Sequence, residues 1–437
     1  MIVVSLNSSL LLTYEFPEWL GNLLVVVPFM AQFIALAMFQ VTAIQFGTDQ
    51  LQGASSEQLS MFIFWYFNME LMPRKGLQWV LYLLSNFMIN IAQFQLGCSL
   101  FCTLLLSVML CMKSCFMSKW FSGELKKTTS CICRTGSGTL NPYALVYRTL
   151  RFALTHNHPV QQSALTYWED KIPSRIDLGR SKYGGPFTAE PVENVKTFLQ
   201  LIKVLLSLSG IFIVSFLIDI EMDDSVVSLN SHVVLINAIS SSVAEGLLIL
   251  FHGLFFLSRF RKYLPSMLRR IWIGASLIAA CATCILLIQS IGSQHATSGQ
   301  QVPCFLSFYS FHIMNLSPYL FMISCVLCDT AYVVLTVSLF EFIIAQSPQS
   351  MKGTLIGLYY MIRFGLAGFF VLVEYRAFDK YPTQGHALNC GTAYYFEITL
   401  LATLSLIIYI IVAYKYKLRE RDEVVNVHIF AEEYYTK

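Results

Sequence analysis

Long uninterrupted apolar runs decide what this chain can fold into. A helix that crosses a bilayer needs about 20 mostly apolar residues. The 437-residue sequence offers nine such stretches: Leu20–Phe46, Ser60–Phe94 (interrupted), Leu96–Met117, Phe198–Ile218, Val233–Leu257, Ile271–Ile291, Pro318–Ala345, Leu355–Val373 and Tyr394–Tyr414. Backbone inside hydrocarbon must satisfy its own hydrogen bonds, so these stretches are expected to be helices. Hydrophobic residues make up 56% of the chain and charged residues 13%, and the 34 Phe outnumber the 29 Lys and Arg together. No water-soluble domain could bury that much apolar surface, and disorder, collagen and coiled coil fall with it. A formal charge of +3 is too small to suggest nucleic acid or another polyanion as partner. The fold class is an all-α integral membrane protein in contact with the lipid bilayer. A tenth apolar stretch, Met1–Leu12, is too short to span and lacks the basic start and cleavage site of a signal peptide. It reads as the tail of a helix whose beginning is absent.

Lys and Arg in the connecting loops set the orientation. The segment after Met117 carries Lys119, Lys126, Lys127, Arg134, Arg148, Arg151, Lys171, Arg175, Arg180 and Lys182. The loop Arg259–Arg270 and the tail from Lys415 are basic too. Ile220–His232 and Gly292–Leu316 contain no Lys or Arg, and Glu374–Gly391 only Arg376 and Lys380. If each stretch crosses once, the three basic regions share one side, which makes the central loop and the C-terminus cytoplasmic.

The organisation is then 1–117, a partial N-terminal bundle; 118–196, a polar cytoplasmic loop; 197–414, a C-terminal bundle of six helices; and 415–437, a cytoplasmic tail. The loop is long enough to hold short helices of its own. A polar loop between two helical bundles fits a transporter built from two related halves. If the halves are equal, about three helices are missing from the start.

Several motifs point to a family. Phe46-Gly47-Thr48-Asp49-Gln50-Leu51 follows an apolar helix and is itself followed by Trp65-Tyr66-Phe67. Phe340-Glu341-Phe342-Ile343-Ile344-Ala345-Gln346-Ser347-Pro348-Gln349-Ser350-Met351-Lys352 ends another. Tyr183-Gly184-Gly185-Pro186-Phe187 and Val192-Glu193-Asn194-Val195-Lys196 precede a third. The chain thereby resembles the proton-dependent oligopeptide transporter (POT/PTR) family of the major facilitator superfamily. That family has a GGDQF-like end to its fourth helix, FYF opening its fifth, and LEFxYSQAPxSMK in its tenth. The resemblance runs along the whole chain, from late helix three to helix twelve, and implies an N-terminally incomplete major-facilitator bundle. It also implies proton-coupled alternating-access transport of di- or tripeptides or small anions, with protons as coupling ion and no other cofactor.

The chain departs from the pattern at coupling positions. It has no counterpart to the family's first-helix ExxER motif. Gln40 stands where the fourth helix carries a Lys, Glu70 where the fifth carries an Asn, and His252 where the eighth carries an acid. On the resemblance, Gln40, Tyr66 and Glu70 line the N-terminal half of the cavity. Pro318–Ala345 and Leu355–Val373 line the other half.

Ionisable groups at bilayer depth are costly and usually face a cavity or a partner. Glu341 is expected to take a proton or bind a solute amino group. The alternative is an interfacial Glu beside a nearby cation. Without the family's Lys, a buried carboxylate favours its neutral form. Arg363 could replace that Lys and pair with Glu341, or form a structural pair elsewhere, as with Glu245 or Asp329. Glu245 and His252 lie two turns apart on one helical face and could relay a proton, or be no more than a satisfied His and a Glu near the outer end. Asp329 lies twelve residues before Glu341, about 120° around the axis, so the two face different partners. Asp219 reads as an interfacial helix end. Glu70, Pro73, Arg74 and Lys75 interrupt Ser60–Phe94. They fit either a kinked helix that places charges in a cavity or a helix starting at Leu77 after an interfacial segment.

Most of the 12 cysteines fall within helices as small packing residues. Cys304 and Cys390 lie in expected outer loops, where a disulfide between them would survive. Cys131 and Cys133 sit in the basic loop, as free thiols or palmitoylation sites. No nucleotide-binding loop, catalytic triad or metal-ligand cluster is present in the sequence, so neither an enzyme nor a metal site is expected. Two functions compete beside proton-coupled transport. One is a transport-inactive protein of the same fold that binds solute or partners, and the other is a facilitator without proton coupling. Either the plasma membrane or an endolysosomal membrane would suit such a chain.

Overall fold

The computed structural model describes residues 38–45, 47–48, 58–69, 142–156, 174–227, 235–236, 239–240, 242–247, 249–250, 265–295, 316–348, 351–379 and 390–418. Among them the secondary structure is helical, with no strand beyond one isolated bridge between Arg180 and Phe187. The chain divides into two compact units: residues 1–40 with 87–192, and residues 41–86 with 193–437.

In the first unit, helix α1 (Pro142–Thr155) opens on a proline, whose fixed φ suits the first helical position. Its buried residues Leu145, Thr149 and Ala153 recur every fourth position and form one face. The helix meets a 3-10 turn at Asp177–Gly179, where Ser174 donates its hydroxyl (2.6 Å) and backbone N–H (3.1 Å) to the Asp177 carboxylate. A second turn, Ser181–Tyr183, ends on Gly184 with φ of 84°, a left-handed conformation that side chains resist. Gly185 passes so close to the Gly179 backbone that a Cβ has no room. Ser181 N–H donates to the Phe187 carbonyl (2.7 Å) and Phe187 N–H to that of Gly179 (3.0 Å). The Tyr-Gly-Gly-Pro-Phe sequence thus builds a knot of turns just ahead of helix α2 (Ala189–Ser207).

The second unit holds the apolar helices. After α2 come α3 (Ser209–Val227), α4 (Met267–His295), α5 (Phe321–Gln346), α6 (Lys352–Tyr360), α7 (Ala367–Asp379) and α8 (Cys390–Lys415). A π-helical segment at Met361–Leu366 joins α6 to α7. Four helical runs are long and apolar enough to cross a membrane: Met267–His295, Phe321–Gln346, Lys352–Phe378 and Cys390–Lys415. A fifth is counted if α2 and the first part of α3, bent by 46°, form one broken span. Such helices belong to an integral membrane protein.

Two expectations are corrected here. The stretch Phe198–Ile218 is not one straight helix, because it breaks at Leu208. The break is tolerated because α8 repairs it: Ser405 Oγ donates to the Ser207 carbonyl (2.8 Å) and accepts from the Ile211 N–H (3.3 Å). Gly210 permits this approach, since a Cβ there would come within 2.8 Å of Ser405 Cβ. The acidic stretch beginning at Ile220 is not wholly loop either, since α3 continues to Val227. Charged residues at its end did not stop a helix whose backbone bonds were already in register.

Helices α4 and α5 pack closely at Gly274, where a Cβ would lie 2.8 Å from the Leu335 backbone. An aromatic cluster fills the core between α3, α5 and α6. Tyr359 makes edge contacts with Phe212 (5.5 Å between centroids) and Phe340 (4.8 Å), and Phe67 of the 58–69 helical run lies 5.1 Å from Phe340.

Candidate functional site

Glu341 sits five residues before the end of α5 and is 2% exposed. Both carboxylate oxygens are engaged. Oε1 accepts a hydrogen bond from Ser60 Oγ at 2.7 Å, and Oε2 forms an ion pair with Arg270 Nη1, also at 2.7 Å. Arg270 is itself only 7% exposed, in the first turn of α4. The three residues come from segments far apart in sequence, the 58–69 run, α4 and α5, all within the second unit. Phe67 and Phe340 cover the neighbouring turn of the same two segments. A buried carboxylate needs this much compensation, since an uncompensated charge in hydrocarbon costs several kcal/mol.

The cation beside Glu341 is therefore Arg270, not Arg363, and Glu341 is not an uncompensated carboxylate. Arg363 is held elsewhere, at the π-helical turn, and is 5% exposed. Its Nη1 donates to Tyr359 Oη (2.8 Å) and to Thr336 Oγ1 (3.2 Å). Its guanidinium lies over the Tyr332 ring at 4.6 Å and near Phe364 at 5.5 Å. Such cation–π contacts soften the burial of a guanidinium. Asp219 acts on Arg363 electrostatically. π-turns break the regular ladder and recur at functional sites.

Asp219 is half-buried near the end of the apolar part of α3, and the helix itself runs on to Val227. It accepts a long contact from Cys328 Sγ of α5 at 3.8 Å. Asp329 accepts from Ser240 Oγ at 2.6 Å. Glu341 and Asp329 therefore meet different partners, as their spacing around α5 requires. Cys281, Cys325 and Cys328 are free, buried thiols in this region, and Cys281 Sγ donates to the Ser324 carbonyl at 3.2 Å. No group of three His, Cys, Asp or Glu side chains among the described residues is arranged to hold a metal.

Tyr66 is half-buried and packs edge-on against Phe67 at 5.5 Å. Gln40, half-buried, belongs to the first unit. Glu245 is half-buried on its helical stretch, but His252 lies outside the described residues, and so does the relay between them. Glu70, with the charged interruption after it, also falls outside. Cys390 is disulfide-bonded, while Cys304 is outside the described residues.

Sequence reasoning missed two members of the cluster. Arg270 entered only as a loop cation that sets topology, and Ser60 as the first residue of an apolar stretch. The available signal was Arg269-Arg270 directly ahead of an apolar run. One member of such a pair can turn inward with the helix. The sequence matches no protein-family model and no curated protein.

Proposed function

We propose that this protein is a secondary transporter of the POT/PTR type within the major facilitator superfamily. It would move small peptides or related small solutes by alternating access, coupled to protons. The observation that carries the reading is the Ser60–Glu341–Arg270 cluster. A carboxylate buried in a membrane helix is tied to two distant segments through charge and hydrogen bonding. If Glu341 takes a proton, the ion pair with Arg270 is lost and the link to Ser60 weakens. The proton thus acts on the contacts that hold the segments together, which is what coupling requires. Arg363, fixed by Tyr359, Thr336 and Tyr332, is another buried charge of the unit and the residue we assign to solute binding.

One observation favours a second reading. Ser60 and Arg270 engage both of its oxygens, so Glu341 ties its segments together without any proton being taken up. The cluster would then be a static brace, in a protein that binds solute without transport or carries it without protons. Proteoliposome uptake of labelled Ala-Ala and of nitrate, with and without an inward proton gradient, separates these readings. Gradient-stimulated entry of either solute supports the symporter. Entry that ignores the gradient points to a facilitator, and no entry of either points to the transport-inactive reading.

A further inference from the structure

The α1 module has a surface that the transporter reading does not use. Helix α1 buries Leu145, Thr149 and Ala153, while side chains on the opposite face are exposed. On that face Tyr143 is 66% exposed, Tyr147 63% and Leu154 75%. At 100° per residue these three fall within about 40° of one another around the axis. The exposed Arg151 and Arg148 flank them on one side. An arc of two tyrosines and a leucine edged by arginines is unsuited to water alone. It matches a helix that lies in a membrane interface, with rings in the headgroup layer and guanidinium groups at the phosphates.

The charge of the module selects the partner. Helix α1 contains no acid. Across the described residues 142–156 and 174–188, Arg175 and Lys182 are also exposed, while the single acid, Asp177, is buried and paired with Arg180 at 3.0 Å. The membrane is within reach by chain connectivity. Only Thr188 separates Phe187 from α2, which opens the broken span.

We propose that α1 docks on the bilayer through Tyr143, Tyr147 and Leu154 and binds anionic lipid headgroups through Arg148 and Arg151. On the loop-charge reading of topology this is the cytoplasmic leaflet, where anionic lipids concentrate. The occupant is lipid rather than a protein, because the face pairs its apolar arc with Arg148 and Arg151 on a helix that contains no acid.

The test uses the full chain in vesicles, with Tyr147 replaced by the photoreactive residue p-benzoylphenylalanine. One set of vesicles is phosphatidylcholine alone, and the other adds about 30 mol% phosphatidylserine to supply the negative surface. Illumination should give a phosphatidylserine adduct on the peptide carrying α1. Arg148→Gln with Arg151→Gln should lower that adduct by about fivefold or more, while Arg148→Lys with Arg151→Lys should keep most of it. Tyr147 and both arginines are exposed, so these changes leave the fold intact, and unchanged elution of the vesicle-extracted protein checks this. A cross-link to a second copy of the chain or to another protein would overturn the proposal. So would the absence of any lipid adduct, equal adducts in both lipids, or an adduct that survives the double Gln change.

Discussion

Removing one partner from the Arg270–Glu341 pair should cost far more than removing both. At 2.7 Å the charges attract by about 6 kcal/mol with an effective dielectric constant of about 20. Desolvation of the two groups offsets most of that, so the net worth of the intact pair is small. Glu341→Gln keeps an acceptor for Ser60 but leaves the buried Arg270 without its counter-charge, at a cost of about 3–5 kcal/mol. Arg270→Met leaves Glu341 in the same position and should cost a similar amount. The double variant removes both buried charges and should be more stable than either single one, which requires a coupling energy of at least about 3 kcal/mol. The assay is thermal inactivation of detergent-purified protein, read as loss of the monodisperse peak after heating across a temperature series. Costs that simply add in the double variant would refute the reasoning, as would singles each within about 1 kcal/mol of the parent, the range of an exposed pair.

Four further outcomes follow from the contacts. Gly274→Ala places a Cβ 2.8 Å from the Leu335 backbone and should destabilise by about 1–3 kcal/mol. Gly357→Ala meets nothing within 4 Å and should be neutral or stabilising by up to about 1 kcal/mol, in the same thermal series. Ser405→Ala strips the Ser207 carbonyl and the Ile211 N–H of their partner at the α2–α3 break, for a loss of about 1–3 kcal/mol; Ser405→Thr, which keeps the hydroxyl, should recover part of it. Arg363→Lys keeps the charge but not the guanidinium fork that reaches Tyr359 and Thr336. It should weaken solute affinity in the uptake assay by about tenfold, as expected for one lost charge-assisted hydrogen bond.

The spanning helices were legible because hydrocarbon allows almost no alternative to a helix, so apolar length suffices. Ile271–Ile291, Pro318–Ala345 and Tyr394–Tyr414 each correspond to a long helix, α4, α5 and α8. The break at Leu208 was not legible. It depends on Ser405, almost 200 residues away, satisfying backbone groups that the local sequence leaves open. Glu341 was legible as a site because a carboxylate in an apolar run stands out. Its partner was not, because Arg363 and Arg270 both lie near helix ends or breaks, and only the tertiary fold decides which turns toward α5. The helix boundary near Asp219 was not legible for a related reason. Acidic neighbours suggested a helix end, whereas the helix runs on and the side chain faces Cys328. The turns around Gly184 and Gly185 were visible as glycine pairs, but the close approach of Gly185 to Gly179 belongs to the fold alone.

The central claim is that a proton on Glu341 couples solute movement to the gradient. The most direct measurement compares two modes of transport by Glu341→Gln in proteoliposomes: solute counterflow at equal pH, and accumulation driven by an inward proton gradient. The account predicts that counterflow persists while gradient-driven accumulation is lost. Accumulation that still follows the gradient in this variant would contradict it.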